Sequence, residues 1–248
     1  MPGREAPGRE APVLVPVAHG SRDPRSASTI AALVDVVRSR APGLDVRPAF
    51  LDFDHPRLDD VLAALDRPAV VVPLLLGAAY HARVDIPVVV EQSRRPGQDV
   101  RVSDVLGPDP ALLDVAAQRL ARLGVAPGDP GLGIVLAGTG SSHAAANATV
   151  DDLVRRWPLA AAAFATAEPD VPAAIAGLRR RGARRIAVAS WFLAPGRLLD
   201  RVHARAAGAP VAEALGAHPA VADVVLSRYR TAATRPAIEA GTALAEIT

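Results

Sequence analysis

Short runs of apolar residues alternate along this chain with longer stretches in which apolar positions recur every three or four residues. The short runs are typical of buried β-strands, and the longer period is typical of helices with one apolar face. Strands that alternate with helices in this way usually pair as parallel neighbours in one sheet. The pattern therefore predicts an α/β protein with small parallel sheets flanked by helices.

The predicted elements form two successive sets. In the first set, strands are predicted at residues 13–18, 46–53, 69–76 and 100–106, and helices at 24–40, 57–65, 85–94 and 109–123. Residues 124–131 are rich in glycine and proline and predict a linker. The second set has strands predicted at residues 132–138, 160–165, 185–192 and 221–227. We expect an N-terminal domain over residues 13–123 and a C-terminal domain over residues 132–248.

The two domains are predicted to repeat one scaffold, because two segments align between them. Residues 17–22 align with residues 137–142, and residues 73–85 align without a gap with residues 190–202. Each aligned segment lies where a predicted strand gives way to a helix. We expect the second domain to have the same arrangement of elements as the first.

The polar side chains of the first domain do not recur in the second. The alignment pairs His19 with Thr139 and His81 with Leu198. A site built from these two imidazoles can therefore exist only once in the chain. We expect the chemistry to lie in the N-terminal domain and the C-terminal domain to be a degenerate copy.

His19 lies where the first strand is predicted to end and its helix to begin, which is where open α/β sheets bind ligands. Gly20 allows the chain to turn, Ser21 is expected to cap the helix, and Arg22 offers a guanidinium group to a carboxylate. A simple strand-to-helix turn, with His19 as a hydrogen-bonded turn residue, explains the same residues without a ligand. The sequence leaves both interpretations open.

A second histidine, His81, follows the third predicted strand and therefore belongs to the same edge of the sheet. The segment around it is expected to contact a flat ligand, through small residues, an aromatic ring and a cation: Gly77, Ala78, Ala79, Tyr80 and Arg83. The alternatives to these contacts are a tyrosine that packs on the sheet and an arginine that is only solvated. Asp85 is expected to cap the following helix.

A carboxylate would complete a metal site, and Asp52 stands near the end of the second predicted strand. Alternation along a strand would put Asp54 on the same face, and His55 is a further competitor, so the sequence does not choose. Two histidines and a carboxylate suit Co²⁺, Fe²⁺ or Zn²⁺. Surface or capping roles are expected for the histidines outside this set, which are His143, His203 and His218.

The composition excludes several kinds of chemistry. The 248 residues include no cysteine, and every basic side chain is arginine, since the sequence contains no lysine. A Schiff base and a Walker-type phosphate loop both require lysine, and iron–sulfur clusters and disulfides require cysteine. We therefore expect no nucleotide and no iron–sulfur cluster. Any metal must be held by nitrogen or oxygen ligands.

Charge and hydropathy give no indication that the protein binds nucleic acid or spans a membrane. The chain has 28 basic and 26 acidic side chains and a formal net charge of +2, unlike a dedicated nucleic-acid binder. No apolar run reaches the roughly 20 residues of a membrane span. Residues 1–12 lack the apolar segment of a signal peptide and predict a disordered leader, so we expect a cytoplasmic protein. The oligomeric state stays open.

Three segments carry a resemblance to a known family: His19-Gly20-Ser21-Arg22, Phe50-Leu51-Asp52 with Pro56 shortly after, and residues 79–87 with the sequence AYHARVDIP. Together they resemble the sirohydrochlorin cobalt and iron chelatases over nearly everything after residue 12. The second half has Gly140-Ser141-Ser142 where the long, two-domain form of that family also has Gly-Ser-Ser. The chain departs from the family in having Asp52 for the usual glutamate and Ala79 for the usual glycine.

The resemblance implies two similar chelatase domains with a tetrapyrrole bound in the cleft between them. It implies that His19 and His81 bind the metal, and we expect Asp52 to orient them or relay a proton. The implied enzyme is a lyase that inserts Co²⁺ or Fe²⁺, as a substrate, into sirohydrochlorin without ATP, in cobalamin or siroheme biosynthesis. Substrate carboxylates are expected to meet Arg22 and Arg83.

Two other functions fit the same residues. A carrier of metal or tetrapyrrole would use the same histidine pair without turnover, and a measured rate of metallation distinguishes it from an enzyme. A two-lobed small-molecule binding module of the periplasmic type would tolerate the loss of both imidazoles. The expected cytoplasmic location disfavours that module.

Overall fold

The computed structural model describes residues 11–77 and 86–235. The first half of the chain forms β1 (Val13–Ala18), α1 (Pro24–Arg40), β2 (Ala49–Phe50), α2 (Leu58–Ala64), β3 (Ala69–Pro73), α3 (Ile86–Ser93), β4 (Val100–Val102) and α4 (Pro110–Ala121). The second half forms β5 (Leu132–Gly138), α5 (Ala144–Val154), β6 (Ala160–Phe164), α6 (Val171–Arg180), β7 (Arg185–Ser190), α7 (Arg197–Arg205) and α8 (Pro219–Thr234).

The strands form two parallel sheets, with the orders β2-β1-β3-β4 and β6-β5-β7. Helices flank both sheets, so the predicted α/β architecture of two similar units is confirmed. The first strand of each unit lies inside its sheet, with a neighbour on either side. None of the helices in residues 11–77 and 86–235 combines the length and hydrophobicity of a membrane span.

Each sheet is buried on both faces, because successive side chains of a strand point to opposite sides. In β1, Val13, Val15 and Val17 pack into a cluster with residues of α2 and α3, while Leu14 belongs to a second, larger cluster. That larger cluster is continuous through both halves of the chain and includes residues of α1, α4, α5 and α8. The two sheets therefore share one central core.

The last helix of each half packs on the sheet of the other half. Helix α4 contacts β7, and α8 contacts β3 and lies along α1. In α8, Tyr229 reaches across to the start of the chain, where its hydroxyl donates to the carbonyl of Pro12 at 2.7 Å. Each half therefore completes the core of the other.

The prediction of a strand at residues 221–227 is wrong, because these residues lie in α8. The buried side chains of α8 are Val221, Ala222, Val224, Val225, Leu226, Tyr229 and Ala232, which follow the period of a helix. His218 and Pro219 supply an N-cap and a first helical residue that favour this outcome. A short apolar run taken alone does not distinguish a buried strand from a buried helix.

Several predicted strands end later than the observed ones. The strand predicted at 46–53 pairs only over Ala49–Phe50, apart from an isolated bridge at Val46. Beyond the ends of β3 and β7 the chain stays apolar and buried, at Leu74 and Phe192 for example, and Leu106 is buried four residues after β4 ends. Burial therefore continues past the last hydrogen bond between strands. Because the apolar pattern of the sequence reports burial, it predicts strands that are too long.

His218 caps α8 in its neutral form. Its Nδ1 accepts from the amide of Ala220 at 3.1 Å, so Nε2 carries the proton and donates to Gln118 Oε1 at 3.1 Å. Burial lowers the pKa of His218, and Arg119 and Arg122 lower it further. The structure thus confirms the capping role expected for this histidine.

We predict that the free energy of unfolding falls as the pH drops below about 6.5, the ordinary pKa of histidine. The folded state disfavours the imidazolium, so this stabilisation is complete above 6.5 and is lost toward the lower folded pKa. The loss should reach about 1 kcal/mol, the usual value of an N-cap. Urea unfolding between pH 8 and pH 5 measures it. His218→Asn keeps a capping oxygen and should flatten this part of the profile; an unchanged slope would contradict the assignment.

Candidate functional site

His19 directly follows β1 at the carboxyl end of a strand inside the first sheet. The β1–β2 pairing continues past both strands through single hydrogen bonds. The amide of Leu51 donates to the carbonyl of Ala18 at 3.0 Å, and that of Asp52 donates to the carbonyl of His19 at 2.9 Å. These bonds fix the backbone of His19, and His19 remains exposed to solvent.

Gly20 makes the closest approach in this region. It has φ +91°, and a Cβ atom built on it would lie 1.8 Å from the carbonyl oxygen of Asp52. No side chain fits in that space, and the left-handed conformation itself favours glycine. Glycine is therefore required here for two independent reasons, turn conformation and contact with the loop after β2.

The turn into α1 is held by short-range hydrogen bonds. Asp54 Oδ2 accepts from the amide of Ser21 at 2.9 Å, and Ser21 Oγ accepts from the amide of Asp23 at 3.1 Å. Asp23 then accepts from the amide of Arg25 at 3.0 Å and is the N-cap of α1. The expectation that Ser21 caps the helix is wrong, because the cap stands immediately before Pro24 at the first helical position.

The two carboxylates left open by the sequence have different partners. Because the strand ends at Phe50, alternation does not put Asp52 and Asp54 on one face. Asp54 holds the turn of Ser21. The half-exposed carboxylate of Asp52 accepts from the amide of Phe53 at 2.9 Å and from Arg57 Nη1 at 3.3 Å.

Phe53 lies between His19 and a cation. Its ring centroid is 6.2 Å from that of His19 with an interplanar angle of 76°, an edge-to-face arrangement. On the same ring, the guanidinium carbon of Arg22 lies 5.1 Å from the centroid. Within residues 11–77 and 86–235, Arg22 has no carboxylate partner. Phe53 is not predictable as a site residue, since nothing in a loop sequence indicates that its ring lies beside His19.

An ion pair joins this turn to the second half of the chain. Arg25 contacts Asp23 and also Asp200 of α7, with Nη2 to Oδ2 at 2.5 Å and Nη1 to Oδ1 at 3.2 Å. Its hydrogen bond to Asp23 is the main reason that the pKa of Asp23 falls to about 2. Both Arg25 and Asp200 are about half exposed, so the pair contributes orientation more than stability.

The sheet register confirms the repeat alignment of the two halves. Val17 pairs with Pro73 in the first sheet, and Ala137 pairs with Ser190 in the second, as the aligned segments require. The edge strands agree, because Ala18 pairs with Phe50 and Gly138 with Phe164. The backbone bonds that extend the β1–β2 pairing recur as well, as donations from Ala165 to Gly138 and from Thr166 to Thr139.

The chemistry-bearing side chains of the first half are replaced in the second. Thr139 takes the position of His19, and Thr166 takes that of Asp52. Thr166 Oγ1 donates to the carbonyl of Thr139 at 2.8 Å, so the two positions are again joined, without an imidazole or a carboxylate. The second half therefore preserves the backbone of the site alone.

The remaining predicted site residues lie mostly outside the described part of the chain. Gly77 is described, in a bend shortly after β3. The other predicted residues fall within residues 78–85, which lie outside the described residues: Ala78, Ala79, Tyr80, His81, Arg83 and Asp85. Among residues 11–77 and 86–235, no group of three or more acidic or histidine side chains could hold a metal ion.

Comparison with known proteins gives a family match over both halves. The family model of CbiX matches residues 13–123 and 133–232. A probable sirohydrochlorin cobaltochelatase of Halobacterium salinarum is 32% identical over 140 residues, which are 51% of this chain and 47% of that protein. The sirohydrochlorin ferrochelatase of Priestia megaterium is 23% identical over 199 residues, which are 75% of this chain and 74% of that protein. The chain thus spans about half the length of the first relative.

Solved structures show the same fold. SirB from Bacillus subtilis with Fe³⁺ matches with a TM-score of 0.74 at 21% identity, over 91% of this chain and 96% of that one. At this identity the likeness concerns the fold alone. The fold of this chain, over 91% of its length, is therefore shared with that protein.

We predict that Gly20→Ala destabilises the protein by about 2 to 5 kcal/mol, the sum of left-handed strain and a forced shift of the loop after β2. Gly43→Ala is the matched control. It has φ +86° with nothing within 4 Å of the added Cβ, so it should cost only about 1 to 2 kcal/mol of strain. Urea unfolding of both variants measures the difference. Equal destabilisation would show that the contact with Asp52 does not matter.

Proposed function

The chain belongs to the CbiX family of sirohydrochlorin chelatases, and on this premise we propose that it inserts Co²⁺ or Fe²⁺ into sirohydrochlorin without ATP. The observation that carries the proposal is the exposed imidazole of His19 at the end of an inner strand, in a half whose repeat has threonine instead. Imidazole and carboxylate ligands suit both metals. The two curated relatives are named for different metals, so the proposal includes both ions, with the supply in the cell deciding between them.

Metal insertion is an exchange of ligands coupled to proton loss. Two pyrrole N–H bonds break, four metal–nitrogen bonds form, and two protons leave for each divalent ion. The ion must therefore be delivered by ligands that release it readily, and a base must accept protons near the ring centre. Neutral imidazole meets both needs, because it is a nitrogen ligand and its ordinary pKa is near neutrality.

We assign metal delivery and proton acceptance to His19. Its carbonyl is held by the amide of Asp52 at 2.9 Å, and Gly20 packs the following turn against the same loop. The ring can therefore meet a substrate without movement of the strand that carries it. The proposed second ligand is His81, which follows the neighbouring strand β3 in the sequence.

Asp52 is proposed to orient His19 through its backbone amide and to relay protons through its carboxylate. That carboxylate is half exposed and accepts a hydrogen bond from Arg57 Nη1 at 3.3 Å, so it can also meet a substrate. Arg22 and Arg83 are proposed to bind carboxylates of sirohydrochlorin, with Ser21 as a further polar contact. Arg22 supports this role because it lacks a carboxylate partner in the described part of the chain.

We predict that His19→Ala lowers kcat for metal insertion at least 100-fold while the midpoint of urea unfolding is preserved, since the residue is exposed and a general base contributes about 10² to 10⁴. His81→Ala should have a comparable effect. The measurement is anaerobic incubation with sirohydrochlorin and Co²⁺ or Fe²⁺, followed by absorbance.

Thr139→Ala is the control, because it alters the matching position of the second half. It should leave the rate within about threefold of the wild type. An equal loss of rate in Thr139→Ala would show that the matching edges of both sheets take part in metal insertion. A wild-type rate no faster than that of free metal with sirohydrochlorin would favour a carrier over an enzyme.

A further inference from the structure

Phe53 is an aromatic side chain left in solvent beside the proposed metal ligand. It is 46% exposed, and the other large apolar side chains that the described residues expose are Val88 and Leu123, which are aliphatic. Burying a phenylalanine side chain stabilises a protein, so an exposed one contributes little to folding. Its contacts with His19 and Arg22 therefore need a different explanation.

The backbone holds this ring outward in an unfavourable conformation. Phe53 has φ +60°, which non-glycine residues seldom adopt. The amide of Asp54 donates to the carbonyl of Asp52 at 2.7 Å, which closes a three-residue turn centred on Phe53. Side-chain bonds of both aspartates fix the turn, as described above. Strain of this kind concentrates where a side chain serves binding.

The second half lacks the ring although it repeats the backbone. Ala167 follows Thr166 as Phe53 follows Asp52, and the loop from Phe164 to Pro169 is one residue shorter than that from Phe50 to Pro56. A ring needed for folding of this loop would be expected in both halves. Phe53 instead follows the distribution of the imidazole, present in one half and absent from the other.

We infer that Phe53 is a substrate-binding residue, whose ring packs against the tetrapyrrole and holds the macrocycle beside His19. The inference rests on the proposed function and adds to it the residue that recognises the apolar surface of the substrate. Flat π-systems stack with an offset or meet edge to face, and both leave the neighbouring imidazole accessible. Arg22, packed on the same ring, then lies where a carboxylate at the periphery of the macrocycle can reach it.

The test separates the ring from the backbone of the turn. Phe53→Gly and Phe53→Asn both remove the ring and both tolerate positive φ, so the turn should persist. We expect the Kd for metal-free sirohydrochlorin, measured by anaerobic absorbance titration, to rise about tenfold in each, which is about 1.4 kcal/mol. The midpoint of urea unfolding should stay the same or increase. Phe53→Tyr keeps the ring and should restore the Kd to within about threefold.

The kinetic constants of the Phe53 variants should also separate binding from chemistry. Loss of binding shared by substrate and transition state raises KM and leaves kcat nearly unchanged. Wild-type Kd and KM in the Phe53→Asn variant would overturn the inference while the proposed function stands. A lower unfolding midpoint with unchanged Kd would assign Phe53 a structural role instead. Failure of the wild type itself to bind sirohydrochlorin would overturn both.

Discussion

The site depends on two backbone hydrogen bonds that continue the pairing of β1 and β2 beyond their ends. They tie Ala18 and His19 to the loop after β2, at 3.0 and 2.9 Å, and Gly20 closes the remaining gap by packing against that loop without a side chain. The turn around Phe53 is thereby brought beside the imidazole. Without this contact, the histidine and the loop would be two unrelated surface features.

The second half repeats this backbone arrangement with threonines at the matching positions, so the backbone belongs to the scaffold. The proposed chemistry rests on the side chains that only the first half has at these positions. Helices α4 and α8 also join the two halves, because each packs on the sheet of the other half within the central core. The ion pair from Arg25 to Asp200 joins the site turn to α7. The second half therefore contributes to the site by packing and orientation, while its own edge is free to lose reactive groups.

The sequence predicted the architecture well because burial repeats with the period of each element. The bounds of β1, α1 and β5 agree with the structure to the residue. The strand predicted at 221–227 failed because five apolar residues in seven fit either element, and only the His218-Pro219 cap favours a helix. The shape of the loop after β2 could not be predicted from the sequence, because it follows from contacts with the turn of Gly20, more than thirty residues away. Those contacts separate the roles of Asp52 and Asp54 and put Phe53 beside His19.

The central claim is that one edge of a duplicated scaffold binds the metal, through His19 together with His81. Anomalous diffraction at the cobalt edge from crystals of the full chain equilibrated with Co²⁺ tests it most directly. We predict one ion about 2.0 to 2.1 Å from a ring nitrogen of each histidine, the length of a metal–imidazole bond. Cobalt bound at the Thr139 edge, or at a site that includes neither imidazole, would contradict it.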